Sequence, residues 1–264
     1  MDEKSILNDQ FVNMIFEIML KAGKIAEEFE KNNLDVLYKS PNQPVTQADL
    51  KINKFIKEFC QSKTPSFGWL SEESVDDSSR KSCDYFWCLD PIDGTRSFIQ
   101  KKPEYTISLA LIKKNTPIFG IVYNPKTKEF FHAMANSSAF CNKKKINVAK
   151  NDTLENLTMA ISSSEKKKFD SHKFNIKKLI KIGSIAYKVA LVAKGEIDAT
   201  VSFTKKNDWD LAAAILILNR AGGLCTTISG KKIKFNSNDL KISSVLSSNE
   251  KLHCRLSSKL TQKF

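Results

Sequence analysis

Apolar residues recur every three or four positions in several long stretches of the chain, which is the period of an amphipathic helix. Residues 6–29 carry this pattern most clearly, and it resumes after Thr46. The same pattern recurs over 184–194 and 209–221, and each of these stretches is followed by a glycine that can cap the end of a helix. Four helices are therefore predicted, and the last residues of the chain, 248–264, are predicted to form a polar tail.

Short apolar runs between these stretches predict β-strands, because they are rich in β-branched and aromatic residues and are bounded by turn residues. In chain order these runs are 67–71, 85–89, 105–112, 118–123, 129–133, 159–162, 178–182, 198–203, 224–229 and 243–247. The short turns between 105 and 133 predict an antiparallel meander, whereas 39–44 is a polar, proline-bearing connection. The mixture indicates an α/β or α+β layered fold with an N-terminal half, 1–150, and a C-terminal half, 151–264.

The strand predicted at 85–89 leads into the sequence Asp90-Pro91-Ile92-Asp93-Gly94-Thr95. Pro91 offers no N–H to a neighbouring strand, so we expect the strand to end at Asp90 and the chain to turn through Ile92 and Asp93. Two carboxylates this close resist ionising together unless a cation lies between them, and oxygen ligands favour Mg²⁺ over Zn²⁺. An ordinary Pro-Asp-Gly surface turn explains these six residues equally well.

Other acidic residues stand at the ends of predicted elements. Glu72 and Glu73 follow the strand at 67–71, and Asp210 opens the helix at 209–221. Asp49 stands three residues after Thr46, which resembles a capping box with Asp in place of the usual Glu. Each of these positions has a purely structural explanation when it is taken alone.

Length and charge limit the classes of function that fit the chain. It has 264 residues, a net charge of +13 and six cysteines without a C-x-x-C pair, so a large core and reduced cytoplasmic thiols are predicted. The charged N-terminus is not that of a secretory signal, and the longest apolar run is too short to span a bilayer. The lysines occur in scattered runs without interleaved aromatic residues, so we predict a solvated surface rather than a nucleic-acid interface. Attraction of a multiply phosphorylated substrate is the second interpretation.

Four motifs that follow one another along the chain favour a metal site over a surface turn at Asp90 and Asp93. They are Val45-Thr46-x-Ala48-Asp49, Ser71-Glu72-Glu73-Ser74, the sequence from Asp90 to Thr95, and Trp209-Asp210-x-Ala212-Ala213-Ala214 with Ala221-Gly222-Gly223. In this arrangement the chain resembles the inositol monophosphatase superfamily of Mg²⁺-dependent, lithium-sensitive phosphatases. The resemblance implies the layered αβαβα sandwich that this superfamily shares with fructose-1,6-bisphosphatases. It also implies a small phosphorylated substrate, no stable membrane insertion and a homodimer. A nucleic-acid-binding protein has no need of these clustered acids, which repel phosphates.

The resemblance also implies roles for single residues. The residues that match the family's ligands for two or three Mg²⁺ ions are Glu72, Asp90, the Ile92 carbonyl, Asp93 and Asp210. Thr95 and Asp49 match the pair that orients and deprotonates the attacking water, and Glu72 is counted as catalytic with them. The predicted substrate contacts are Glu72, Ile92, Asp93, Asp210, the backbone N–H groups of Gly94 and Thr95, and the motif Gly183-Ser184. A serine helix cap explains Ser184 equally well.

The residues after the metal motif bear on the choice of substrate. Arg96 follows Thr95, which resembles the 3'(2'),5'-bisphosphate nucleotidase (CysQ-type) branch, and Ser97 stands where inositol monophosphatases usually have Asn. Phe203 occupies the position seven residues before Asp210, where inositol enzymes commonly have an acid, and a phenyl ring there could instead support a base or ribose face. We therefore predict release of the 3'-phosphate from adenosine 3',5'-bisphosphate, with an inositol-1-phosphate or related sugar-phosphate phosphatase as the alternative.

Overall fold

The computed structural model describes residues 6–31, 36–41 and 43–262. Its helices are α1 (Asp9–Lys31), α2 (Gln47–Lys63), α3 (Ser79–Ser82), α4 (Thr95–Ile99), α5 (Lys166–Asp170), α6 (Ile185–Ala193), α7 (Asp208–Arg220) and α8 (Glu250–Thr261). The strands of the first half are β1 (Val36–Ser40), β2 (Gln43–Thr46), β3 (Gly68–Ser71), β4 (Tyr85–Asp93), β5 (Thr106–Lys113), β6 (Thr116–Asn124), β7 (Glu129–Met134), β8 (Phe140–Cys141) and β9 (Lys144–Lys145). Those of the second half are β10 (Leu157–Ile161), β11 (Ile176–Lys181), β12 (Ala199–Ser202), β13 (Lys206–Asn207), β14 (Gly223–Thr226), β15 (Lys241–Ile242) and β16 (Val245–Asn249).

Two main sheets and three helical layers alternate through the protein. Strands β3 to β9 form one sheet in chain order, and the second sheet has the order β11-β10-β12-β16-β14. Helices α1 and α2 pack together on the outer face of the first sheet, whereas α8 packs on the second. Helices α6 and α7 lie between the sheets, with α7 against β5 and β6 and α6 against β12 and β16. The predicted αβαβα sandwich is confirmed.

The helical layers follow from the apolar patterns of the sequence. Helix α1 buries Phe11, Ile15 and Met19 along one face, as its amphipathic period predicts. Helix α7 is apolar on nearly all sides because it is buried between two sheets. Within the described residues, no helix combines the length and the apolar character that crossing a bilayer needs.

Three predicted elements differ from the structure. The polar tail contains α8, whose Leu252, Leu256 and Leu260 recur every four residues and are buried. The connection at 39–44 belongs to the hairpin of β1 and β2, of which residue 42 lies outside the described residues. Strand β4 does not end at Asp90 but continues to Asp93 through an irregularity in its pairing with β5, which accommodates the missing N–H of Pro91.

The division of the chain at residue 150 stays a prediction. Each main sheet is built from strands of one half. One apolar cluster nevertheless joins both halves, because it contains Phe86 and Val122 of the first sheet together with Val189 and Leu216 of the central helices. The two halves therefore share a core.

The close approach of α7 to the first sheet depends on Gly120. A Cβ at this position would lie 2.9 Å from the Ala213 Cα and 3.0 Å from its carbonyl oxygen, and neither backbone atom can move without shifting the helix. We expect Gly120→Ala to lower the free energy of unfolding by about 1–3 kcal/mol, as overpacking does. Urea unfolding of Gly120→Ala checks this, and a free energy of unfolding equal to that of the wild type would contradict it.

Candidate metal and phosphate site

Three carboxylates from different elements meet at one place. Asp90 lies in β4, Glu72 follows the adjacent parallel strand β3, and Asp210 lies in the first turn of α7. One carboxylate oxygen of each lies within 4.8 Å of the other two. The structure thus brings together three of the predicted metal ligands, although they are far apart in sequence.

Burial and mutual repulsion make these carboxylates resist ionisation. Burial raises the pKa of Asp90 well above its ordinary value, and the charges of Glu72, Asp93 and Asp210 raise it further. Burial likewise raises the pKa of Asp210 to about 7, with a further contribution from Asp93 and Glu72. A cation between the carboxylates would remove this repulsion, so the cluster has the chemistry of a site for a hard metal ion.

Asp93 lies beside this cluster but has other partners. One of its oxygens accepts hydrogen bonds from the Ser184 hydroxyl at 2.5 Å and from the Ala186 backbone N–H at 2.6 Å. Burial raises its pKa, which these two hydrogen bonds partly offset. The Ser184 hydroxyl also accepts from the Tyr187 N–H and so caps α6. The structural explanation of Ser184 is therefore observed, and a substrate contact at this buried residue stays a prediction.

The end of β4 and the turn into α4 position Ile92, Gly94 and Thr95. The Ile92 N–H donates to Asp90 Oδ1 at 3.0 Å, and the Thr95 hydroxyl donates to the Ile92 carbonyl at 3.1 Å. Gly94 has a φ of +94°, and a Cβ there would lie 2.9 Å from the Glu104 carbonyl oxygen. All three residues line the same cavity as Asp90, so the predicted ligand and substrate contacts of this turn face one space.

Asp49 is held by the capping box that its sequence resembles. Its Oδ2 accepts from the Thr46 N–H at 2.8 Å and from the Thr46 hydroxyl at 2.6 Å. Burial raises the pKa of Asp49 to about 7, with smaller contributions from Glu73 and Glu72. The residue is 1% exposed and does not line the cavity, although its charge is close enough to raise the pKa of Asp90. Its role in orienting water stays a prediction.

Two lysines near this site were missed by the sequence analysis. Lys39 of β1 reaches Glu72 Oε1 at 3.1 Å and Glu73 Oε1 at 2.6 Å, and only the unrecognised hairpin could have placed it there. Lys188 of α6 is fully buried and donates to the Ser162 hydroxyl at 2.6 Å. Burial lowers the pKa of Lys188 to about 8. The predicted helix at 184–194 contained Lys188, but its apolar surroundings gave no sign of a buried cation.

The acidic cluster opens into a cavity of about 620 Å³. The same cavity is lined by the cations Arg96, Lys102 and Lys181, and by Glu104 and Gly183. Phe203 is not part of this lining, because it stacks on His172 with ring centroids 5.3 Å apart. The cavity therefore combines the three-carboxylate cluster with three positively charged side chains, and Phe203 lies outside it.

Comparisons with known proteins find similarity along nearly the whole chain. The model of the inositol monophosphatase family matches residues 7–262. The 3'(2'),5'-bisphosphate nucleotidase CysQ of Haemophilus influenzae is 28% identical over 247 residues, which cover 89% of this chain and 91% of the relative. The inositol-1-monophosphatase of Bacillus subtilis is 29% identical over 242 residues, with coverage of 88% and 89%. Relatives of both activities are thus similar to this chain to about the same degree.

Solved structures show the same fold. The extragenic suppressor protein suhB of Bartonella henselae superimposes with a TM-score of 0.86 at 27% identity, over 97% of this chain and all of that one. An IMPase of Thermotoga maritima has a TM-score of 0.84 at 26% identity, with coverage of 96% and 97%. The fold is therefore shared over nearly the whole chain.

Proposed function

The chain belongs to the inositol monophosphatase family, and from that premise we propose that it is a Mg²⁺-dependent 3'(2'),5'-bisphosphate nucleotidase. The proposed reaction converts adenosine 3',5'-bisphosphate and water to AMP and phosphate. The observation that carries the proposal is a single cavity lined by the three-carboxylate cluster and by three cations. The predicted homodimer and cytoplasmic location stay predictions.

The residues of the cluster fit a magnesium ion. All the donors are carboxylate or carbonyl oxygens, which Mg²⁺ prefers, and the raised pKa values of Asp90 and Asp210 indicate a negative charge that lacks compensation. The proposed ligands are Glu72, Asp90, the Ile92 carbonyl, Asp93 and Asp210. When bound, Mg²⁺ supplies Lewis-acid chemistry, lowering the pKa of water and stabilising charge on phosphate oxygens. The number of ions, predicted as two or three, belongs to this proposal.

Side chains of the protein orient the reactants around that centre. We assign to Thr95 and Asp49 the task of orienting the attacking water and accepting its proton, since a carboxyl group with a pKa of about 7 is suited to exchange a proton at neutral pH. The Gly94 and Thr95 N–H groups are assigned to the phosphate, and Gly94 allows the approach because it has no side chain. Asp93 is held in a fixed orientation by Ser184 and Ala186.

The choice of a bisphosphate rests on charge. A substrate with a second phosphate gains from Arg96 and the other cations of the cavity, whereas the hydroxyl groups of inositol need hydrogen-bond acceptors. An acid is absent at Phe203, where inositol enzymes commonly have one. The alternative, an inositol-1-phosphate phosphatase, is supported by relatives of that activity at 29% identity.

One assay tests the proposed function. Phosphate release with Mg²⁺ is measured from adenosine 3',5'-bisphosphate, inositol-1-phosphate and fructose-1,6-bisphosphate, each with and without Li⁺. We expect the highest kcat/KM for the nucleotide and inhibition by Li⁺. A preference for inositol-1-phosphate would overturn the nucleotidase assignment and favour the alternative. Binding to nucleic acid without Mg²⁺-dependent turnover would overturn the assignment as a phosphatase.

A further inference from the structure

Two lysines in the wall of the active-site cavity have no role in the hydrolytic step itself. Lys102 and Lys181 line the cavity together with Asp90 and Asp210, although they come from different halves of the chain. Both are exposed, and neither has a carboxylate within ion-pair distance among the residues that the structure describes. By contrast, Lys39 near the same acids is paired with Glu72 and Glu73.

Strand geometry directs Lys181 to the cavity. It is the last residue of β11, which runs parallel to β10, and it pairs with Ile161 at the end of that strand. The carboxyl ends of these two strands therefore open at the same edge of the sheet, where ligands commonly bind in α/β proteins. Ser163 and Ser164 after β10 and Gly183 after β11 line the cavity at this edge.

A tight turn in the first half of the chain fixes Lys102. Its backbone N–H donates to the Ser97 carbonyl at 2.9 Å, immediately after the short helix α4. The neighbouring Lys101 is exposed too but lies outside the cavity lining. The turn therefore directs one of two consecutive lysines toward the substrate space.

The charge balance of the lining favours an anion at this position. Lys102 and Lys181 stand beside one carboxylate, Glu104, in the part of the cavity lining that does not belong to the metal cluster. Lysine side chains repel a metal ion, so Lys102 and Lys181 are not there to bind the metal. The proposed reaction assigns no proton donor to this position either. A second anionic group on the substrate is the partner that their charge fits.

Resting on the proposed function, we infer that Lys102 and Lys181 bind the second phosphate of a bisphosphorylated substrate, the one that is not hydrolysed. They are specificity-determining residues, which act on the affinity for one class of substrate. Charge-assisted contacts at an open site are each worth about a tenfold change in kcat/KM.

The test compares two substrates that share the reacting 3'-phosphate, adenosine 3',5'-bisphosphate and adenosine 3'-monophosphate. We expect Lys102→Gln and Lys181→Gln each to raise KM for the bisphosphate roughly tenfold, with kcat and the kinetics of the monophosphate unchanged. Lys101→Gln and Lys178→Gln are matched controls, because both remove one exposed charge from the same turn or strand outside the cavity. A steeper salt dependence of KM in the wild type than in the double variant Lys102→Gln/Lys181→Gln is the second expected readout.

The outcomes separate this inference from the proposed function. If the wild type prefers the bisphosphate and both cavity variants keep that preference, the inference is overturned while the nucleotidase assignment stands. If the wild type shows no preference for the bisphosphate over the monophosphate, the nucleotidase assignment itself is overturned. Equal losses for both substrates would show that the lysines support the active site in general, which also contradicts the inference. If Lys101→Gln and Lys178→Gln raise KM for the bisphosphate by the same factor, the effect is one of net charge, and this also contradicts the inference.

Discussion

Asp210→Asn is expected to lower metal-dependent phosphate release by at least about a thousandfold, because the loss of one carboxylate from the cluster removes several kcal/mol of stabilisation. The fold should survive the change. Asp210 accepts a hydrogen bond from the Asn207 N–H at 2.6 Å, and an asparagine oxygen can accept the same bond. Steady-state kinetics across a range of Mg²⁺ concentrations gives the measurement.

Thermal unfolding provides a readout that does not depend on turnover. The pKa of Asp210 is raised to about 7, so its contribution to stability is fully present below its ordinary pKa of about 4 and is lost as the pH rises through about 7. Without Mg²⁺, the wild type should therefore lose stability between these pH values, and Asp210→Asn should lose less. Added Mg²⁺ should raise the Tm of the wild type and leave that of the variant nearly unchanged.

Asp208→Asn is the matched control for this experiment. Asp208 lies in the same first turn of α7 and is buried, but its carboxylate accepts from the Asn236 N–H and does not line the cavity. It should keep both turnover and the stabilisation by Mg²⁺. An Asp210→Asn protein that retains turnover and the Mg²⁺-induced shift would contradict the assignment of Asp210 as a ligand.

The parts of the fold that could be predicted are those whose signal lies within a short stretch of sequence. Helices α1 and α7 and the meander of β5, β6 and β7 follow from apolar period and turn residues alone. Helix α8 was missed because only every fourth residue is apolar in a stretch that is otherwise polar, although Leu252, Leu256 and Leu260 carried the period. The polar composition of this stretch hides a spacing that is typical of an amphipathic helix.

The hairpin of β1 and β2 shows a different limit. Both strands are short. Strand β1 is mostly exposed and β2 buries only its last two residues, so neither has the alternation of a half-buried strand. Lys39 of β1 forms ion pairs with Glu72 and Glu73, outside the hairpin. These ion pairs join residues more than 30 positions apart, so the local sequence of β1 does not indicate them.

The candidate site was predictable as a set of residues and not as an arrangement. The motifs identified Glu72, Asp90 and Asp210, and the structure places one carboxylate oxygen of each within 4.8 Å of the other two. The orientation of Asp93 by Ser184 and Ala186 depends on how α6 docks on the turn after β4, and no local pattern specifies that. The same limit applies to Lys188, because burial of a lysine is a property of the assembled layers.

Two roles coincide at Asp49, the observed helix cap and the proposed catalytic base, because both use its carboxylate. Asp49→Asn separates the two roles. An asparagine oxygen still accepts from the Thr46 N–H, so the cap and the thermal stability should be retained. It cannot accept a proton from water, so turnover should fall by about a hundredfold or more.

Asp49→Ala and Asn249→Ala complete the comparison. Asp49→Ala removes the cap as well, and should lose about 1 kcal/mol of stability in addition to turnover. Asn249 caps α8 by accepting from the Leu252 N–H at 3.0 Å, outside the cavity lining, so Asn249→Ala should lose stability and keep turnover. Kinetics and urea unfolding of the three variants give the result. If Asp49→Asn retains wild-type turnover, Asp49 serves only to begin α2, and the base must be sought among the residues that line the cavity.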